Sequence, residues 1–162
     1  MSAHSQQELN AVAAGSAAQA CLSFRIGSEH YAIDILSVRE VRRFEPPTRI
    51  AQAHDQVLGV LDLRGVIVPI VDLRLRLGVA QPCFDANTVV IVMKVGTREF
   101  GLVVDGVDDV LGLQPEQLRP MPAMSSGVAA DLLRAIATVG ERMLLLVDVD
   151  KLMRSPALGL RA

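Results

Sequence analysis

The sequence predicts a mainly β chain of small barrels, assembled from two related half-domains. Short runs rich in Val, Ile and Leu recur along the body with turn signals at close spacing. Many short strands of this kind favour barrels, because closure removes exposed edges. The chain also repeats itself. Residues 24–33, FRIGSEHYAI, align with residues 93–102, MKVGTREFGL, each reading as strand, glycine-opened polar turn and strand. In the same register Val38, Glu40 and Val41 fall on Val107, Asp109 and Val110, and the joint Ile70-Val71-Asp72-Leu73 recurs as Leu146-Val147-Asp148-Val149. Finally, 51% of the 162 residues are apolar, so the chain has the means for a sizeable core without disulfides or metals.

The elements follow in order. Residues 20–26 form a half-buried strand, with Leu22, Phe24 and Ile26 inward and Ser23 and Arg25 outward. Residues 31–35 return antiparallel, and Asp34 caps a single turn before a strand at 38–43. Pro46 and Pro47 open a loop reaching His54. The most informative run is 59–78, GVLDLRGVIVPIVDLRLRLG. Its first strand spans 58–63, and Asp62 and Gly65 suit the outer positions of a type I turn over 62–65. Residues 66–71 are β-branched and too apolar to face water on either side. Asp72 then caps a helical turn at 73–77, and Gly78 supplies a left-handed stop. The turn holds Arg64 at the tip of a rigid element, which points to docking rather than catalysis.

Beyond a connection at 82–87, strands at 88–95 and 100–105 pair, and Gly106 kinks the chain into 107–113. Residues 114–127, with prolines at 115, 120 and 122, read as a long loop. A short amphipathic helix is expected at 130–139, a buried strand at 143–147 and a helical turn at 149–153. Residues 1–19 form a flexible tail. Their alanine-rich stretch is interrupted by Gly15, Ser16 and Gln19 and has no Lys or Arg before it, unlike a signal peptide. The folded domain is placed at 20–154, with a second tail at 155–162. No apolar run approaches the ~18 residues of a membrane span, so the protein is expected in the cytoplasm, without membrane insertion.

The chemistry is defined mostly by exclusion. A net charge of −2 gives no electrostatic reason to bind nucleic acid, and with 3% aromatics and no Trp a stacking platform is missing too. His4, His30 and His54 lack metal-ligand spacing. No phosphate-cradling or dinucleotide glycine pattern occurs, and Ser125-Ser126-Gly127 has no histidine placed to serve a nucleophile. Asp105, Asp108 and Asp109 suggest either a cation site or a solvated strand end, with the strand end favoured. Cys21 and Cys83 admit a disulfide, but buried free thiols in a reducing cytosol are favoured. No cofactor and no enzyme activity are expected.

Taken in order, several motifs resemble the CheW-like family of bacterial chemotaxis adaptors. They are Tyr31-Ala32-Ile33-Asp34-Ile35 leading to Val38-Arg39-Glu40-Val41, then Thr48-Arg49-Ile50, and above all the run from Leu63 through Arg64-Gly65 to Asp72-Leu73. Thr88-Val89-Val90-Ile91-Val92, Gly101 through Val107, Glu116 through Pro120 and Gly140-Glu141-Arg142-Met143 complete the match. The resemblance implies two SH3-like five-stranded β-barrel subdomains packed together, with short helices and no catalysis. It implies an adaptor that couples the cytoplasmic tips of chemoreceptors to the histidine kinase CheA, through that kinase's CheW-like regulatory domain.

Position by position, the resemblance implies a receptor groove between the half-domains formed by Val38, Glu40, Gly59 and Arg64, with Gly101 and Val107 on its far side. Arg119 is the implied kinase contact. Glu40 and Arg64 are expected to pair across the groove; an exposed pair adds little to folding, so docking explains it better. Many relatives carry asparagine where this chain has Asp62, and the added charge is expected either to hold Arg64 or to alter partner preference. Two other readings stay open at this point: an adaptor of a non-flagellar pathway such as pilus motility, and a stand-alone barrel binding a small ligand, against which the uniformly aliphatic strands argue.

Overall fold

The apolar runs become strands in the computed structural model, which describes residues 19–51, 56–122 and 132–154. In chain order these are β1 (Gln19–Ile26), β2 (Glu29–Asp34), β3 (Val38–Arg43), β4 (Val57–Leu63), β5 (Val66–Asp72), β6 (Val89–Val95), β7 (Arg98–Val104), β8 (Gly106–Leu113), β9 (Leu118–Pro120), β10 (Leu133–Val139) and β11 (Arg142–Val147). Short helices α1 (Leu73–Arg76) and α2 (Val149–Arg154) follow β5 and β11, and 3-10 turns occupy Ile35–Ser37 and Pro115–Gln117. The two expected tails, apart from Gln19, which opens β1, together with His4, His54 and the Ser125-Ser126-Gly127 segment lie outside the described residues.

The strands form two sheets, β8-β1-β2-β11-β10-β9 and β3-β6-β7-β5-β4. Only the second has the expected five strands. The first gains β9, a three-residue strand formed within the predicted loop.

The sequence repeat is a repeat of register. The β1–β2 hairpin centres one sheet and β6–β7 the other, each turning through a left-handed glycine, Gly27 (φ 62) and Gly96 (φ 63). The strand after each hairpin then leaves for the opposite sheet: β3 pairs with β6, and β8 with β1. The partners correspond, since Val38 faces Met93 as Val107 faces Phe24, and Val41 faces Ile91 as Val110 faces Leu22. The parallel joints match too, with Ile70 opposite Gly101 and Leu146 opposite Ala32. Each half therefore lends a strand to the other.

Burial explains why the strands are apolar on both faces. Cys21, Ala32, Leu113, Ala137, Leu144 and Leu146 fill the interior of the six-stranded half. Leu63, Val68, Ile70, Val90, Val92 and Val103 fill that of the five-stranded half. The opposite faces of the central hairpins, including Phe24, Tyr31, Ile33, Ile91, Met93 and Leu102, meet in a shared core between the sheets.

Several expectations change. The hairpin between β4 and β5 has a two-residue loop, because Leu63 pairs with Val66. Arg64 (φ 55) and Gly65 (φ 86) both have positive φ, the pattern of a type I′ turn, whose twist suits adjacent strands better than type I. Residues 66–71 are not wholly buried: Val66 is 45% and Ile67 61% exposed. Residues 133–139 are strand rather than helix. Their outward Arg134 and Thr138 alternate with buried Leu133 and Ala137, and pairing to β11 and β9 overrides the helical preference of alanine. Ser23 is buried rather than outward because Asp109 accepts its hydroxyl proton. Met143 is exposed on β11, whose Leu144, Leu146 and Val147 are buried. Cys21 is a buried free thiol, whereas Cys83, also free, is exposed.

Candidate functional site: strand β3 and the β4–β5 hairpin

The type I′ turn projects Arg64 from a two-stranded arm. The carboxylate of Asp62 accepts the Gly65 amide at 2.8 Å, so of its two expected roles Asp62 does not take that of holding Arg64, and it fixes the turn itself. Arg64 instead reaches strand β3, where its Nη2 donates to Glu40 Oε2 at 2.8 Å. The expected Glu40–Arg64 contact is thus formed, between residues 24 positions apart. The hydrogen bond to Glu40, reinforced by its charge, holds the Arg64 guanidinium pKa above its ordinary value.

The same carboxylate serves a second cation. Arg42, two residues along β3 and so on the same face, lies 3.6 Å from Glu40 and 3.3 Å from Glu45. Arg39, at the bulge between Val38 and Glu40, lies 3.9 Å from Glu99, which the register puts on the same face as Glu40. With the exposed Val66 and Ile67 following Arg64, the surface is an apolar knuckle beside a row of alternating charge. Such a surface suits protein docking, in which apolar contact supplies adhesion and charge fixes register.

The other predicted residues separate into surface and scaffold. Val38 is half-buried on β3 and packs on the shared core. Val107 is half-buried on β8 and lines a cleft of about 380 Å³ with Val41, Arg42, Arg43 and Val89. That cleft lies where the two exchanged strands approach each other. Gly59 and Gly101 are buried and present no side-chain surface. A Cβ on Gly59 would collide with the Thr48 carbonyl, next to the Thr48–Val60 bridge, and one on Gly101 would lie 2.7 Å from Val90 and 2.8 Å from Ile70. Both allow close packing beneath the site. Arg119 is exposed on the edge strand β9 of the six-stranded sheet, whereas Glu40 and Arg64 belong to β3 and the β4–β5 hairpin of the other sheet.

Sequence reasoning missed Arg74, which is 1% exposed. Both carboxylate oxygens of Asp72 accept from it at 2.9 Å, Asp105 accepts at 2.9 Å, the Cys83 carbonyl accepts a further bond, and its Cζ lies 4.7 Å from the centre of the Phe84 ring. Burial acts against this charge, but the bonds to Asp72 and Asp105 outweigh it and hold its pKa above the ordinary value. The one trace in the sequence is a cation in the first turn of a helix, where the dipole opposes it. The three neighbouring aspartates are engaged separately: Asp105 with Arg74, Asp108 with Arg25 and His30, and Asp109 with Ser23 and Arg142. That is the strand-end reading, with each carboxylate paired.

Comparison with known proteins agrees with this architecture. The sequence pattern of the CheW-like domain family matches residues 20–157. The chemotaxis protein CheW of Klebsiella aerogenes is 49% identical over 142 residues, covering 88% of this chain and 86% of that protein. A probable chemotaxis protein CheW of Rhizobium etli is 37% identical, covering 81% and 84% respectively. The crystal structure of the scaffolding protein TtCheW from Thermoanaerobacter tengcongensis superposes with a TM-score of 0.79 at 24% identity, covering 86% of this chain and 95% of that one, a likeness of fold.

Proposed function

Because the chain belongs to the CheW-like domain family, a family of chemotaxis scaffolds, we propose that it couples the cytoplasmic tips of chemoreceptors to the histidine kinase CheA and has no catalytic step of its own. The observation that carries this reading is the Arg64–Glu40 pair, which ties a strained hairpin tip to the edge strand β3 beside exposed apolar residues. Val38, Glu40, Arg64 and Val107 contact the receptor tip, while Gly59 and Gly101 serve by letting the backbone and core close up beneath them. Arg119, on an exposed edge strand able to accept another strand, contacts the kinase. The place of action is the cytoplasm, at receptor arrays; no described helix is long and apolar enough to cross a membrane.

The test is reconstitution. CheA and a receptor signalling fragment are combined with and without this protein, and autophosphorylation is followed. A large rise that depends on the protein is expected. No change with partners known to be competent would remove the coupling role and leave the fold assignment standing.

A further inference from the structure

The cleft between β3 and β8 has walls from both halves, and the apolar core that joins the halves is adhesive without being directional. Beyond the exchanged strands, a directional side-chain link is formed at the β7–β8 crossover. Asp105 is the single residue between β7 and β8, where the chain crosses from one sheet to the other. One of its carboxylate oxygens accepts from Arg74 at 2.9 Å, and the other accepts the amide of Gly27 at 2.7 Å. The Asp105 amide donates to the Arg25 carbonyl at 3.0 Å. Charge-assisted bonds therefore run from buried Asp72 and Arg74, in the five-stranded half, through Asp105 to the β1–β2 turn of the six-stranded half.

The repeat supplies an internal comparison. At the matching crossover, between β2 and β3, Leu36 takes the place of Asp105 and is 80% exposed, and exposed Asp150 takes the place of Arg74. Among the described residues the link is thus made on one side only.

We infer that Arg74 and Asp105 are positioning residues, a one-sided latch that sets the β8 wall of the cleft against β3 and thereby tunes partner affinity. This rests on reading the cleft as part of the docking face.

The primary variant is Asp105→Asn, which keeps the shape and leaves the Asp72–Arg74 pair intact but cannot accept from both donors with full charge. Asp105→Ala is the second, and Asp150→Asn, at the exposed position that corresponds to Arg74 in the repeat and outside the lining of the cleft, is the control. Without any partner, amide exchange at Gly27 should accelerate about tenfold or more in the Asp105 variants and stay unchanged in the control. At a temperature well below melting, affinity for a chemoreceptor signalling fragment should weaken about five- to twentyfold in the same variants only. Unchanged exchange at Gly27 would refute the latch. Faster exchange with unaltered affinity would refute the positioning role. A wild-type chain that does not bind the fragment overturns the docking reading and the positioning role with it, while the exchange arm still decides the latch.

Discussion

The two cysteines show how local environment, not residue type, sets reactivity. Cys21 is buried in the interior of the six-stranded half; burial first, then the charge of Asp34, pushes its pKa up to about 11, with Arg134 acting the other way. A thiol whose folded pKa lies above the unfolded value, about 8.5, favours the fold only while neutral. Its contribution is complete below about pH 8.5 and is lost as pH rises through about 11. Urea midpoints of wild type and Cys21→Ala, compared at pH 8 and pH 10.5, should therefore draw together at the higher pH; a gap that stays constant or widens would contradict the burial argument. In native conditions a thiol reagent should modify Cys83 quickly and reach Cys21 only on unfolding. Arg74 is another residue whose behaviour is set from outside its own segment. Its partners Asp105 and Phe84 are far enough along the chain that no local pattern announces them.

At the scale of elements, the β4–β5 hairpin is the part whose chemistry was most nearly legible. Aspartate, arginine and glycine marked the turn, and the strand and capped helix after it are where the pattern put them. The turn type was not legible, because it depends on which residues pair across the strands, and Leu63 opposite Val66 leaves room for two loop residues only. Gly65 at φ 86 is required by that geometry, so Gly65→Ala should lower stability by about 1–2 kcal/mol in a denaturant titration. An unaffected midpoint would mean that the turn relaxes to another type. Gly101 tests packing rather than backbone. With Val90 and Ile70 within 3 Å of where a Cβ would sit, Gly101→Val should cost about 1–3 kcal/mol, read from the same titration. Residues 133–139 mark the limit of local reading: their alanines suggest helix, and only the neighbouring β9 and β11 make them a strand.

For the whole molecule, exchange of β3 and β8 makes the halves interdependent. Neither sheet is complete without a strand from the other half, and the shared core needs both. Thermal unfolding should therefore be one transition by circular dichroism and by calorimetry, with equal calorimetric and van't Hoff enthalpies; two resolved steps would contradict the interlock. The two-half plan was visible in the matching segments at 24–33 and 93–102, since register follows from the alternation of side chains. The crossing of β3 and β8 was not visible, because the same strands could equally have closed their own sheets. The site divides along the same line. Arg64 was marked by its turn and Glu40 by the family resemblance, whereas the buried roles of Gly59 and Gly101 depend on what packs over them.

The central claim is that Arg64 and Glu40 present charge to a partner and do not merely bind each other. Reversal tests it most directly. Kinase activation in the reconstituted system is measured for Arg64→Glu, for Glu40→Arg and for the double exchange, with a thermal melt of each. Each single variant should lose about tenfold or more of the coupling with the fold intact. The double exchange restores opposite charges between positions 40 and 64 but sets a like charge beside Arg42, so its melt should stay close to wild type, these being exposed pairs worth little to folding, while coupling stays low because the partner meets inverted charges. Recovery of full coupling by the double exchange would contradict the account and leave the pair as a structural contact only.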